Sequence, residues 1–361
     1  MTVVFLGLYF WSESSRVNVR QDNYQQRIDA ANLMLTAIET LENHRLPALN
    51  LKERKNSSDA LVYTLLGEKD SPITTDEGRI EDKITVLNPN YAAAMVDLLI
   101  SAGINRGDTV AVLLTGSMPG ANIAVYSAAY ALGCHPVIIT SIGSSWWGAN
   151  SVDFTWLDME KVLYSKGIYP FRSVAASIGG SDDNGGLRLS EVGRNLLIEA
   201  ADRNEITLIK QGSLTENILA RQDLFKRILP LNRYAAVINV GGGLAAVGHR
   251  ENCTLIATGL NKNLPIRNYP GRGVVHSFDD EGVPIIHIYD VLKIAETYDL
   301  PIAQLPLPKV GIGRVYETQA YNLTVVAIAI ALMLLILIVV KYLDRQHYKW
   351  REEGVDPDTL V

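Results

Sequence analysis

Apolar runs and helix-period stretches alternate along the chain from Asn88 onward. Residues 109–114, 135–140, 173–177, 206–209, 234–240 and 284–288 are short apolar runs bounded by turn residues, which predict strands buried on both faces. Between them the spacing predicts helices over 91–102, with Asn90 as cap and Gly103 as stop, from 120 to 132, over 156–165, after Ser190, after Ser213 and over 290–297. Ser213 and Glu216 have the capping-box spacing, as do Thr155 and Asp158. Past Gly243 the pattern loosens until 284 and predicts no element. Strands alternating with helices make this an α/β protein, with a doubly wound, mostly parallel, Rossmann-like sheet.

The two ends of the chain behave differently. Residues 323–340 are 18 uncharged, predominantly apolar positions. At about 1.5 Å per residue they reach about 27 Å, enough for the hydrocarbon of a bilayer. Lys341, Arg345, Lys349 and Arg351 follow this segment, against Lys309 and Arg314 before it. The positive-inside rule therefore predicts a cytoplasmic tail, 341–361, and an extracytoplasmic domain, 61–322, at the cell membrane. Residues 1–20 form an N-terminal apolar anchor, with Val3 to Trp11 too short to span alone. Two readings stand: the end of a spanning helix, or an interfacial anchor, with Arg16 and Arg20 weighing against a full span. Residues 21–60 read as an amphipathic helix, with Ile28, Leu35, Ile38 and Leu41 near one face, and a linker with a polar break at 52–58.

A net charge of −6 opposes generic binding to nucleic acid. Cys134 and Cys253 are too few for a disulfide scaffold; they either pair in an oxidising compartment or lie buried as thiols. No zinc spacing, phosphate-binding lysine loop or dinucleotide fingerprint occurs, so no cofactor is evident.

Ligands of open parallel sheets bind beyond the carboxyl ends of the strands. There the chain places Gly116, Ser117 and Gly120, then Thr140, Ser141, Gly143 and Ser144, and later Gly241, Gly242 and Gly243. Glycines admit a ligand to backbone N–H groups and hydroxyls add hydrogen bonds, although both are also ordinary turn residues. Ser117 lacks the glycine spacing of a nucleophile elbow. As candidate catalytic groups Ser117, Ser144 and His249 rank above His135, His276 and His287, which lie on strand-like stretches. Asp182 and Asp183, between glycine pairs, are candidates for Mg²⁺ or Ca²⁺ through oxygen ligands, or simply a solvated turn. Asp153 reads as a turn residue.

Several long strings carry a resemblance: residues 71–75, 88–91, 141–150, 154–160 and 238–243, including Ser-Ile-Gly-Ser-Ser-Trp-Trp-Gly-Ala-Asn and Ile-Asn-Val-Gly-Gly-Gly. Together they resemble the bacterial poly-γ-glutamate system protein family over about 66–313. The resemblance implies a membrane-anchored accessory component of poly-γ-glutamate synthesis or export, binding the polymer or its synthase and export complex. It transfers no catalytic residues. The alternatives are a hydrolase or transferase acting on the γ-glutamyl polymer and, from the similarity of 110–141 to sugar isomerase domains, a phosphosugar-binding domain.

Overall fold

The computed structural model describes residues 2–48 and 64–352; the polar break at 52–58 lies outside them. The chain divides into two units, Asp22–Tyr316 and the joined ends Met1–Gln21 with Glu317–Val361.

In Asp22–Tyr316 the apolar runs become one seven-stranded sheet. Its strands are β1 (Thr109–Thr115), β2 (His135–Ser141), β3 (Ala175–Ser177), β4 (Leu208–Ile209), β5 (Ala236–Val240), β6 (Gly259–Asn261) and β7 (Ile285–Ile288). The order is β6-β7-β5-β1-β2-β3-β4, all parallel except the edge strand β6. The chain steps outward from β1 through β2, β3 and β4, then returns to β5 on the other side of β1. The result is a mixed α/β fold with a mostly parallel sheet.

Alternation along β1 explains the two cores. Val110, Val112 and Leu114 enter one apolar cluster, and Ala111 and Leu113 the other. The helices Tyr24–Arg45, Asn90–Ser101 and Pro119–Leu132 pack together in the first cluster. Leu214–Ile228 and Val274–Asp280 supply the second, and Glu191–Arg203 a third beneath β3. Cys134 and Cys253 are both unpaired and buried, in different clusters.

Local capping follows the sequence in part. Thr155 and Asp158 form the capping box, and Ser213 caps its helix by accepting from Glu216 N at 3.3 Å. Asn90 is not the cap predicted for its helix: Asn88 Oδ1 accepts from Asn90 N at 3.0 Å. The Asn90 side chain instead donates to Lys309 O and accepts from Gly311 N and Tyr316 Oη. The helix predicted as part of a linker belongs to the domain. Met34, Ile38 and Leu41 on it are fully buried, and each such side chain contributes about 1.5–3 kcal/mol. Arg27 fixes it further, donating to Val315 O at 3.0 Å and pairing with Asp97. Asp153 pairs with Arg45 at 2.7 Å. Strand β6 and helix Val274–Asp280 fill the stretch where no element was predicted, so His276 lies on a helix and not on a strand.

In the other unit, Val17–Arg20 and Glu317–Ala320 pair antiparallel, Val17 opposite Ala320. The helices Thr2–Ser14 and Leu323–Glu352 extend from this ribbon and pack alongside one another. Arg16 joins the two ends, donating to Tyr321 Oη at 2.9 Å and pairing with Glu13 at 2.7 Å, while Arg20 faces Glu317. Leu323–Lys349 is long and apolar enough to cross a membrane, and only 6% of its most apolar stretch is buried.

Candidate functional site

A cleft of about 720 Å³ opens at the carboxyl ends of β1, β2, β5 and β7. Thr115 and Ser117 reach it from β1, Ser141 and Gly143 from β2, the glycines 241–243 from β5, and Tyr289 and Asp290 from β7. One wall comes from a segment preceding the sheet in sequence. Thr74–Asp76 runs parallel to Ser144–Ser145, and the short helix Ile80–Thr85 follows, bringing Asp76, Arg79, Asp82 and Lys83 to the cleft.

The predicted ligand loops separate into two groups. Ser117, Ser141, Gly143, Gly241, Gly242 and Gly243 line the cleft. Gly116, Gly120, Thr140 and Ser144 serve the packing beneath it. A Cβ on Gly116 would stand 2.3 Å from Ile142 O, and one on Gly120 would stand 2.5 Å from Val86 O. These glycines let loops and a helix approach backbone to backbone. Ser144 is fully buried and donates to Gly116 O at 3.1 Å, so its hydroxyl serves loop closure. His249 is exposed, lies outside the cleft lining and accepts from Glu251 N at 3.3 Å. Burial pushes His287 down to about 4; it bridges Asn239 and Cys253 O and is neutral at physiological pH. The Cys253 thiol lines the cleft, but burial pushes it up to about 11, far from a reactive thiolate.

The two aspartates proposed for a cation part company. Asp183 is buried, with Oδ2 at 2.6 Å and Oδ1 at 3.1 Å from the guanidinium of buried Arg221. Asp182 is exposed. Arg221 also donates to Ser177 Oγ at 2.5 Å. Arg221 therefore takes both oxygens that would have faced a metal. Among the described residues no three His, Cys, Asp or Glu side chains converge on a metal position.

Thr140 begins a buried chain of hydroxyls under β2. Its Oγ1 meets Ser173 Oγ at 2.8 Å, and Ser173 donates to Glu160 Oε1 at 2.9 Å, as does Tyr126 Oη at short range. Glu160 Oε2 has no partner, and burial raises this carboxyl above its ordinary value. A carboxyl raised on folding holds its proton more tightly in the native state. Its contribution is complete below its unfolded value of 4.5 and is lost as pH rises through the folded one. Glu160→Gln keeps the acceptor and removes the charge. Its melting temperature, compared with wild type from pH 4 to 8, is expected to gain steadily with pH; a constant difference would contradict this.

Lys83 and Ser145, a pair at the floor of the cleft, are not foreshadowed as a pair by any sequence pattern. Lys83 is 1% exposed, and its Nζ donates to Ser145 Oγ at 2.8 Å, Ser117 O at 2.6 Å and Met118 Sδ at 3.5 Å. Burial lowers its ammonium to about 8, partly offset by Asp82 and Asp76. Gly78 makes room for this arrangement, since a Cβ there would stand 3.0 Å from Ser145 Oγ and 2.8 Å from Trp146 O. Ser145 N donates to Ser117 Oγ at 3.0 Å, and Thr115 Oγ1, buried at the cleft, has no partner. The only legible signal was Ser145 itself, at the end of a serine-glycine loop.

Charges around the opening are mixed. Arg250 pairs with Asp76 across it and Arg79 with Asp82, while Arg267 and Lys293 line the side of β5 and β7. An anionic ligand entering there would meet these cations and compete with Asp76 for Arg250. Comparison of the chain with protein-family models, curated proteins and solved structures returned no match.

Proposed function

We propose that this protein is a membrane-anchored accessory component of poly-γ-glutamate synthesis or export, and that its strand-end cleft holds the polymer through the polymer's carboxylates. The observation that carries the reading is that Arg250, Arg267 and Lys293 all line the cleft. It answers the difficulty posed by the acidic overall charge, because a polyanion needs only a local cationic surface. The family resemblance supplies the polymer's identity. The strand order reverses between β1 and β5, which in the doubly wound, Rossmann-like reading is where ligands bind. The basic flank after residue 340 supports a cytoplasmic tail and an extracytoplasmic domain. A divalent-cation bridge through Asp182 and Asp183 is left out of this reading, since Arg221 holds Asp183.

The test is co-elution of the detergent-solubilised full chain with poly-γ-glutamate on a sizing column. Wild type is expected to co-elute at low salt and to dissociate as ionic strength rises. Arg250→Glu combined with Arg267→Glu and Lys293→Glu is expected to weaken binding at least tenfold. Independent elution of wild type and polymer at low salt would reject the reading.

A further inference from the structure

We propose that Ser145 is a nucleophile and Lys83 its general base, so that the cleft carries out acyl transfer on an amide. Four observations converge on this pair. Ser145 is one of the residues lining the cleft. Lys83 Nζ lies 2.8 Å from Ser145 Oγ, a nucleophile–base distance. Two further acceptors, Ser117 O and Met118 Sδ, orient the amine. In the neutral amine, the two N–H bonds point to those acceptors and the lone pair faces Ser145 Oγ. Thr115 Oγ1 has no partner, and Ser117 Oγ, which accepts from Ser145 N, keeps its own proton to donate. Thr115 and Ser117 line the same cleft, and the Ser117 hydroxyl can donate to the oxygen of a tetrahedral intermediate.

The reaction balances with water as the only co-reactant. Neutral Lys83 takes the Ser145 proton as Oγ attacks the amide carbonyl carbon. The resulting ammonium returns that proton to the departing nitrogen as the C–N bond breaks, leaving an ester on Ser145 and a free amine. Water then adds to the ester with Lys83 again as base, and the proton passes back to Ser145 Oγ as the acid leaves. An amine in place of water would make the reaction a transfer. For its substrate class the inference rests on the proposed function: an amide flanked by carboxylates, drawn in by Arg250, Arg267 and Lys293. The dyad itself does not depend on that reading.

The lowered ammonium of Lys83 is consistent with a base at mildly alkaline pH. The charged groups around it are Asp82 on its own helix, Asp76 on the adjoining strand with its partner Arg250, and Arg79. Asp290 and Lys293 join them from the Val291–Thr297 helix that packs on the lysine's helix.

The test treats the solubilised full chain with a fluorophosphonate that carries no glutamyl group, followed by peptide mapping. The expected adduct is on Ser145, forming at a rate that rises with pH around a midpoint near 8. Ser145→Ala should abolish it. Lys83→Arg, which keeps the charge but not the base, should slow it at least 100-fold. The wild-type pH profile needs no variant and stands even where Lys83→Arg fails to fold. No adduct at Ser145 by pH 9, a rate independent of pH between 6 and 9, or an adduct on a different serine would each overturn the assignment. Labelling without polymer co-elution keeps the dyad and rejects the polymer reading; co-elution without labelling does the reverse.

Discussion

Replacing Arg221 with methionine is expected to destabilise the domain by about 3–5 kcal/mol, the range for breaking a buried ion pair from one side. Arg221 and Asp183 are 2% and 1% exposed at their side chains, and the guanidinium grips the carboxylate through two nitrogens. With the cation gone, Asp183 keeps only Ser177 Oγ, at 2.8 Å, and the more distant Ser141 Oγ, at 3.4 Å. A charge held so poorly in a buried position has to be neutralised or exposed. In a unit of this size the melting temperature should fall by about 10 °C. Arg221→Met combined with Asp183→Leu removes both charges and should recover most of the loss, because the desolvation of both ions disappears with their attraction. A single-variant loss under about 1 kcal/mol would show that water reaches Asp183 and that the pair is not structural.

Gly120→Ala is expected to cost about 3 kcal/mol by overpacking, at the upper end of the usual range. The added methyl would meet Val86 O at 2.5 Å, Val86 C at 2.7 Å and Leu87 N at 3.0 Å, all backbone atoms between two helices. Backbone cannot rotate aside as a side chain does, so the Pro119–Leu132 helix must move off its neighbour. Gly242→Ala makes the contrast. Its methyl would meet the Tyr289 ring at 3.1 Å and Cys253 Sγ at 3.2 Å, both side chains at the cleft. That variant should melt within about 1 kcal/mol of wild type and lose affinity for whatever the cleft holds. Thermal melts of the two variants side by side, with a binding measurement on the second, check the distinction.

The same contrast shows what could be read from sequence. Gly120 and Gly242 have equal standing in the chain, since each belongs to a glycine-containing turn that follows a predicted strand. Only the approach of residues 86–87, distant in sequence, makes the first a packing residue. The strands were legible because runs such as 109–114 are apolar on both faces, a pattern that a buried parallel strand requires. Strand β6 was not: Gly259-Leu-Asn261 is three residues at an edge, held by pairing with β7 rather than by its own pattern. Helix Tyr24–Arg45 was legible as a helix but not as core, because alanines at 30, 31 and 37 supply much of its buried face. Lys83 was illegible for a different reason. In Ile-Glu-Asp-Lys-Ile-Thr it reads as one of several solvated charges, and its burial comes from Ser117, Met118 and Ser145, 34 to 62 positions away. Asp183 likewise resembles Asp182 until Arg221 arrives from another helix.

The ribbon of Val17–Arg20 with Glu317–Ala320 has a consequence for how residues 22–316 can be cut away from the two apolar helices. The chain enters residues 22–316 from one strand of the ribbon and returns into the other. In topological terms the whole intervening segment is an insert in a hairpin. A protease that cuts once within the insert produces two pieces, and each still owns one strand of the ribbon and one apolar helix. Shedding the domain would take two cuts, one on each side, so a single nick changes the covalent chain without setting the domain free.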